Sequence, residues 1–243
     1  MNSENLVAGA KKIAVMQPYF LPYIGYFQLI SAVDSFVIFD DVNYINRGWI
    51  NRNRILLDGK DHMITLPLSQ ASQNKLINEI SLAPDSLLAR KKILTQINHG
   101  YKKAEYFSDF YPILSNIILN EEADLVKYLV NSLRLVCDYI GIKSEFILSS
   151  EIKKNNQSNG QEKIIEICHS LSANRYLNLI GGLELYDKNV FLDNRIDLKF
   201  ISTNPIEYRQ FSENFIPHLS IIDLLMFNSK QRVKEFTENY TLA

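Results

Sequence analysis

Hydrophobic positions along this chain recur with two periods, near two and near 3.6, and the periods take turns. A small polar stretch over 1–11 reads as a loose tail, and KIAVM (12–16) is short and apolar, as a buried strand would be. Residues 24–33 then read as a helix, and SFVIFDDV (35–42), β-branched and aromatic with two acids at its end, reads as a second strand. The polar run NYINRGWINRNRILLDGK reads as a loop with a hairpin turn at LDGK, followed by a strand HMITLPLS (62–69) that Pro67 ends. Residues 84–140 carry helical spacing almost throughout. Pro84 suits a first turn, Pro112 is expected to bend or split a helix, acids open the segment from 121, and Gly141 suits its C-cap. Beyond it the pattern alternates: SEFILSS strand, NGQEKIIEICHSL helix, NRYLNLI strand into Gly181 and Gly182, DLKFIS strand, IPHLSIIDLLMFN helix. Alternation of this kind predicts an α/β fold with a mostly parallel open sheet, Rossmann-like, forming one domain over 1–243 with a helical subdomain at about 84–141.

The stretch MQPYFLPYIGYFQLI (16–30) is too irregular for a strand and, at its start, too rich in proline for a helix. It leaves the first strand and enters the first helix, which places it at the carboxyl edge of a parallel sheet, where ligands bind. Pro18 and Pro22 fix φ and lack N–H groups. Gly25 permits a close approach. Gln17 and the hydroxyls of Tyr19, Tyr23 and Tyr26 can donate and accept hydrogen bonds. A ligand-contacting loop is expected; a rigid connector with aromatics packed inward is the plain alternative.

Asp40 and Asp41 stand where the second strand ends. Such a pair can hold a metal, orient a ribose or act as a base, and because neighbouring strand residues point to opposite faces, one of the two is expected to face a pocket. Downstream, Tyr44, Arg47, Trp49, Asn51 and Arg52 make good chemistry for a nucleotide-linked ligand. Arg forms bidentate contacts to phosphate, and the single Trp offers a face for stacking. His62 follows closely. In YLNLIGGLELY (176–186), Asn178, Gly181, Gly182 and Tyr186 form a second candidate loop. Ser220 with Asp223 three residues on has the form of a capping box.

Composition narrows these readings. The chain has 243 residues, 47% of them hydrophobic, enough for a sizeable core. A formal charge of −1 and scattered basic residues exclude a nucleic-acid face, leaving room for a small phosphate pocket. Cys137 and Cys168 form no CxxC pair and are expected as buried thiols of a reducing compartment. No signal peptide precedes KIAVM and no apolar run reaches about 18 residues, so a cytoplasmic protein without a membrane span is expected. No HxH, HExxH or Cys/His cluster supports a metal; GxGxxG, GxxxxGK[ST] and GxSxG are absent, and no pattern identifies a cofactor or ATP.

MQPYFLPYIGYFQLI, DSFVIFDDVNYINRGWINRNRIL, YLNLIGGLELY and IPHLSIIDLL together resemble the WbqC-like family, in family order over nearly the whole chain. The resemblance implies a place in O-antigen (lipopolysaccharide) and other surface-polysaccharide biosynthesis, and a transferase that puts an amino acid or another acyl group on an amino sugar. In that setting the partners are a nucleotide-linked amino sugar and an acyl or aminoacyl donor, and an oligomer is possible. Catalytic roles fall to Gln17, Tyr23, Asp40 and His62: Asp40 or His62 as base, Gln17 and Tyr23 orienting the donor or the oxyanion. Arg47 and Arg52 would hold the pyrophosphate, with Trp49 or a Tyr stacking on base or sugar. A strand, a proline-bearing loop with Gly and then a helix is also the layout of nucleotidylyltransferase-like folds. The His those enzymes place at the helix start is replaced here by Tyr26, after Gly25. An ATP-dependent ligase or nucleotidylyltransferase, and a non-catalytic sugar-nucleotide-binding protein, are the alternative functions.

Overall fold

The computed structural model describes residues 9, 11–155, 158 and 160–243; the tail read over 1–11 lies, apart from Gly9 and Lys11, outside the described residues. Five parallel strands form the sheet: β1 (Lys12–Met16), β2 (Ser35–Ile38), β7 (Glu145–Leu148), β8 (Arg175–Leu179) and β9 (Asp197–Thr203), joined at one edge by antiparallel β10 (Tyr240–Leu242). Their spatial order is β10-β9-β8-β1-β2-β7. The chain therefore builds outward from β1 in one direction, returns, and builds outward in the other. Renumbered by chain order, the parallel strands run 3-2-1-4-5, with the topological switch between β1 and β8.

Alternation along the strands explains the layering. Ala14, Phe36, Ile38, Leu177 and Ile201 face one core, shared with α1 (Ile24–Ser31), α4 (Leu125–Ile140), α7 (Ile221–Phe227) and α8 (Lys230–Glu238). Ile13, Val15, Val37, Tyr176, Leu198 and Phe200 face a second core, covered by α5 (Gly160–Ser170) and α6 (Lys188–Asp193). Helices thus cover both faces, as a parallel sheet requires.

Between β2 and β7 the chain inserts the hairpin β3 (Arg52–Leu57) and β4 (Lys60–Thr65), the short pair β5 (Leu68–Ser69) and β6 (Ser81–Leu82), and the helices α2 (Ser86–Tyr101), α3 (Phe107–Leu119) and α4. The hairpin turn falls at Asp58–Gly59, where LDGK predicts it; β3, read as loop, is a strand whose Asn53 and Ile55 are buried. Pro112 does not split α3, which continues through it with the proline on the exposed side. Buried Arg90 closes that helix, donating to the carbonyls of Ile118 (3.1 Å) and Asn120 and lying over the Tyr128 ring. Gly141 (φ +82°) ends α4 as the sequence predicts, but the acids expected in its first turn lie before it, and Asp124 instead caps the helix by accepting from the Lys127 amide (2.9 Å). Cys137 and Cys168 are buried free thiols. Among the described residues no helix is long and apolar enough to cross a membrane.

The exit from β1 is held through its carbonyls, which the prolines leave without local donors. Tyr26 Oη donates to Gln17 O (2.8 Å), Asn53 Nδ2 to Phe20 O (3.1 Å) and Leu21 O (2.8 Å), Ser220 Oγ to Leu21 O (2.7 Å), and the Ile221 amide to Pro22 O (2.9 Å). Leu21 takes φ +44°, a left-handed conformation that costs a non-glycine residue about 1–2 kcal/mol. Asn53 and Ser220 hold it there. Gly25 packs closely: a Cβ there would lie 2.6 Å from the Tyr23 ring, which would have to shift to admit it. Asn53→Ala should therefore lower the unfolding free energy by about 2 kcal/mol, since it strands the Phe20 carbonyl and leaves Leu21 O with Ser220 alone. Urea denaturation checks this; a change under about 0.5 kcal/mol would show that the loop keeps its shape without Asn53.

Candidate functional site

Parallel strands bring their carboxyl ends to one edge, so Gln17 (after β1), Asp40 and Asp41 (after β2) and Asn178 to Gly182 (ending β8) share that edge. Tyr19 and Tyr23 stand half-buried in the β1 exit. Tyr26 is fully buried, with its ring 5.2 Å from that of Phe36 and 5.5 Å from that of Tyr19. Burial pushes its hydroxyl well above the ordinary tyrosine value, so Tyr26 acts here as a neutral donor that braces the loop.

The two acids lie just beyond β2 and part company. Asp40, 1% exposed, turns toward β7: Oδ1 accepts from the Ser150 amide (2.9 Å), and Oδ2 from Ser150 Oγ (2.6 Å) and more weakly from Asn78 Nδ2 (3.5 Å). Asp41 lines an open cleft of about 650 Å³ together with Phe39, Asn43, Asn78, Ser150 and Lys163. Its Oδ2 accepts from Lys154 Nζ (2.9 Å) and Lys163 Nζ (3.1 Å). Burial works against the Asp41 charge, but Lys154, Ser149 and Lys163 outweigh it and hold the carboxyl below its ordinary value. Sequence reading missed both lysines. The available signal was position: Lys163 precedes buried Ile167 by one helical turn, on the apolar stripe of α5.

The Arg loop lies beside the β1 exit, joined by the Phe20 amide donating to Trp49 O (3.2 Å). Arg52 turns inward on its own loop, with Nε donating to Gly48 O (2.9 Å) and Nη2 to Arg47 O. Arg47 is exposed, and Trp49 is 39% exposed with the guanidinium carbons of Arg52 and Arg54 at 5.9 and 5.7 Å from its ring centre. Tyr44 Oη donates to Asn51 Oδ1 (2.9 Å) and Asn51 Nδ2 to Leu66 O (2.8 Å), which commits both side chains to holding the loop.

At the β8 exit, Asn178 Oδ1 accepts from the Leu179 amide (2.7 Å) and Nδ2 donates to Tyr176 Oη (3.3 Å). Gly182 packs on that amide, 2.9 Å from where a Cβ would stand, while Gly181 faces open space. The glycines lie in a short 3₁₀ turn over 180–185, and Tyr186 meets Tyr176 edge-on at 5.7 Å.

Three candidates, His62, Ser220 and Asp223, are placed elsewhere. His62, on β4, lies 2.9 Å from Gln96 Nε2 of α2 and does not line the cleft. Ser220 caps α7, accepting from the Ile222 amide (3.3 Å), but Asp223 does not complete a capping box. Asp223 turns into the interior instead and accepts from Tyr101 Oη (2.8 Å), Tyr208 Oη (2.5 Å) and Gln210 Nε2 (2.7 Å). Tyr101 Oη in turn accepts from the Leu56 amide (2.7 Å), so one carboxylate links the hairpin, α2, α7 and the irregular segment before α7. Among the described residues no group of three or more His, Cys, Asp or Glu is placed to hold a metal ion.

Burial pushes the Asp223 carboxyl above its ordinary value, and the bonds from Tyr208, Gln210 and Tyr101 offset this only in part. A pKa raised by folding adds stability that is full below the ordinary carboxylate value of about 3.9 and lost as pH rises through the folded value. Asp41, lowered by folding, runs the opposite way: its contribution is lost as pH falls through its folded value. The stability of the wild type relative to Asp223→Asn should therefore decline as pH rises above about 4 and through the raised folded value. Urea unfolding of both proteins across that range measures it, and parallel curves would contradict the raised value.

A model of the WbqC-like protein family matches residues 17–235. An uncharacterized protein of Mycobacterium tuberculosis (strain ATCC 25618 / H37Rv) is 28% identical over 218 residues, which cover 88% of this chain and 93% of that one. No solved structure matches the chain. The family match takes in the β1 exit, the paired acids with the Arg loop, the β8 exit and the start of α7, and the chain belongs to the WbqC-like protein family.

Proposed function

We propose that this protein is a transferase of surface-polysaccharide (O-antigen) biosynthesis that binds a nucleotide-linked amino sugar and forms an amide at its amine, taking the acyl or aminoacyl group from an activated donor. The observation that carries the reading is the cleft at the carboxyl ends of β2 and β7, where a carboxylate, an ammonium, a hydroxyl and two carboxamides surround one space: Asp41, Lys163, Ser150, Asn43 and Asn78. Such a mixed lining suits a polar ligand with hydroxyl, amine and phosphate groups. The polysaccharide setting is what the resemblance to the WbqC-like family implies, and the buried cluster running from α1 through α4 to α8 supports one domain with a helical subdomain at about 84–141.

Amide formation needs the sugar amine freed of a proton and the developing oxyanion steadied. Asp40 has both oxygens filled and His62 does not line the cleft, so Asp41 is the carboxylate we assign to the sugar amine. Held anionic by two lysines, it fits as an acceptor from the N–H of the neutral amine; the ammonium proton passes to solvent in the open cleft, and the N–C bond forms as the bond from the acyl carbon to the donor's leaving group breaks. Gln17 and Tyr23, at the neighbouring strand exit, are assigned to the acyl donor or the oxyanion. An ATP-dependent ligase or nucleotidylyltransferase is the second reading, supported by the 3-2-1-4-5 strand order; turnover of labelled ATP would favour it. A sugar-nucleotide-binding protein without catalysis would bind the same ligands and yield no product.

Nucleotide sugars carrying a free 3- or 4-amino group should raise the melting temperature, and with an acyl donor should give an amide product by mass spectrometry. Absence of any response across such sugars would rule the reading out. Binding without product from any donor would leave the non-catalytic reading in its place.

A further inference from the structure

Lys154 and Lys163 present an arrangement that the fold alone does not require. Both ammonium groups donate to one oxygen, Asp41 Oδ2, and both side chains are buried, at 1% and 9% exposure. Lys154 also donates to Ser149 O, and Lys163 to Asp41 O (2.9 Å). One carboxylate thus serves two cations in a desolvated place, which is costly unless further negative charge joins them. The nearby acids do not supply it at the cleft. Asp40 is filled by Ser150 and Asn78. Glu166, which also senses Lys154, accepts from the Asn155 amide (2.8 Å) and Ser158 Oγ (2.7 Å) and does not line the cleft.

Lys163 itself lines the cleft, its ammonium 5.2 Å from the centre of the Phe39 ring. An ammonium has three donors, and two of those on Lys163 go to Asp41. Ser150, Asn43 and Asn78 add polar groups around it, and Gly160, the first residue of α5, brings the positive end of an 11-residue helix dipole to the same lining. The Arg loop offers less, because the Arg52 guanidinium is engaged by the carbonyls of Arg47 and Gly48.

We infer that Lys163, backed by Lys154 and oriented by Asp41, is the phosphate-binding group of this cleft, taking the diphosphate of the substrate; the inference rests on the reading that a nucleotide-linked sugar enters there. It moves the phosphate contact from the Arg loop to the β2–β7 edge. A phosphate oxygen beside Lys163 would complete an alternation of charge: phosphate, Lys163, Asp41, Lys154.

Inorganic pyrophosphate is the probe, titrated calorimetrically at constant ionic strength into the full chain. The wild type should bind it. Lys163→Met should weaken binding on the order of tenfold or more, and Lys163→Arg should retain part of it. Lys103→Met, in the separate cavity of about 370 Å³ by the hairpin turn, should bind as the wild type does. Should Lys163→Met not fold, amide hydrogen exchange of the wild type gives the same answer: pyrophosphate should slow exchange at 160–164, the start of α5 that bears Lys163, and leave 99–103 unchanged. No binding by the wild type, equal binding by Lys163→Met, or slowing confined to 99–103 would overturn the assignment. Pyrophosphate binding that depends on Lys163, in a protein indifferent to every nucleotide sugar, would uphold this inference and remove the sugar-transfer reading.

Discussion

The hydrogen bonds around Asp40 decide what the active edge of this protein looks like. A carboxylate at the end of a buried strand would ordinarily seek a cation or solvent. Here three neutral donors, the Ser150 amide, the Ser150 hydroxyl and the Asn78 amide group, fill it, while its own carbonyl accepts from the Asn78 backbone. That ties the exits of β2 and β7 to the turn before β6. With Asp40 turned to β7, its neighbour Asp41 falls on the other side, among the lysines. The pair after β2 is thus a division of labour: one acid fixes the backbone and the other faces the open cleft.

A second constraint works on the other side of the same edge. The prolines of the β1 exit supply no amide donors, so the carbonyls there are met by distant residues: Asn53 from the hairpin, Ser220 before α7, Tyr26 from α1. The inserted hairpin and the C-terminal helices are therefore fastened to the loop that leaves the first strand. Asp223 extends this fastening inward through Tyr101, Tyr208 and Gln210. Its Tyr208 partner has a hydroxyl that burial pushes up, so it remains a donor. A strained Leu21 at the centre of these bonds is the expected sign of a loop held in one shape for a purpose.

Local pattern made the parallel sheet, the long helices over 84–140, the β1 exit and the hairpin turn at Asp58–Gly59 legible, because each follows from neighbours in sequence. What escaped depends on partners far along the chain. RNRILL looks like loop because Asn53 and two arginines interrupt it, yet Asn53 is buried to serve Phe20 and Leu21. Asp223 is spaced for a capping box, and only Tyr101, 122 residues away, shows why it turns inward. Lys163 reads as helix surface until Asp41, 122 residues earlier, is seen to lie beneath it. Pro112, expected to bend or split its helix, does not split it and sits on an exposed helical face. Of the candidate residues, those at strand ends are gathered by topology, whereas His62 is claimed by Gln96.

Amide hydrogen exchange with and without a nucleotide-linked amino sugar tests most directly whether ligand binds between the β2 and β7 exits. Exchange should slow at 39–43 and 149–154, the segments that bear Asp40, Asp41, Ser150 and Lys154, and stay unchanged at 99–103 and 210–216, which line the other cavity. Slowing confined to 99–103 and 210–216, or none at all, would contradict it.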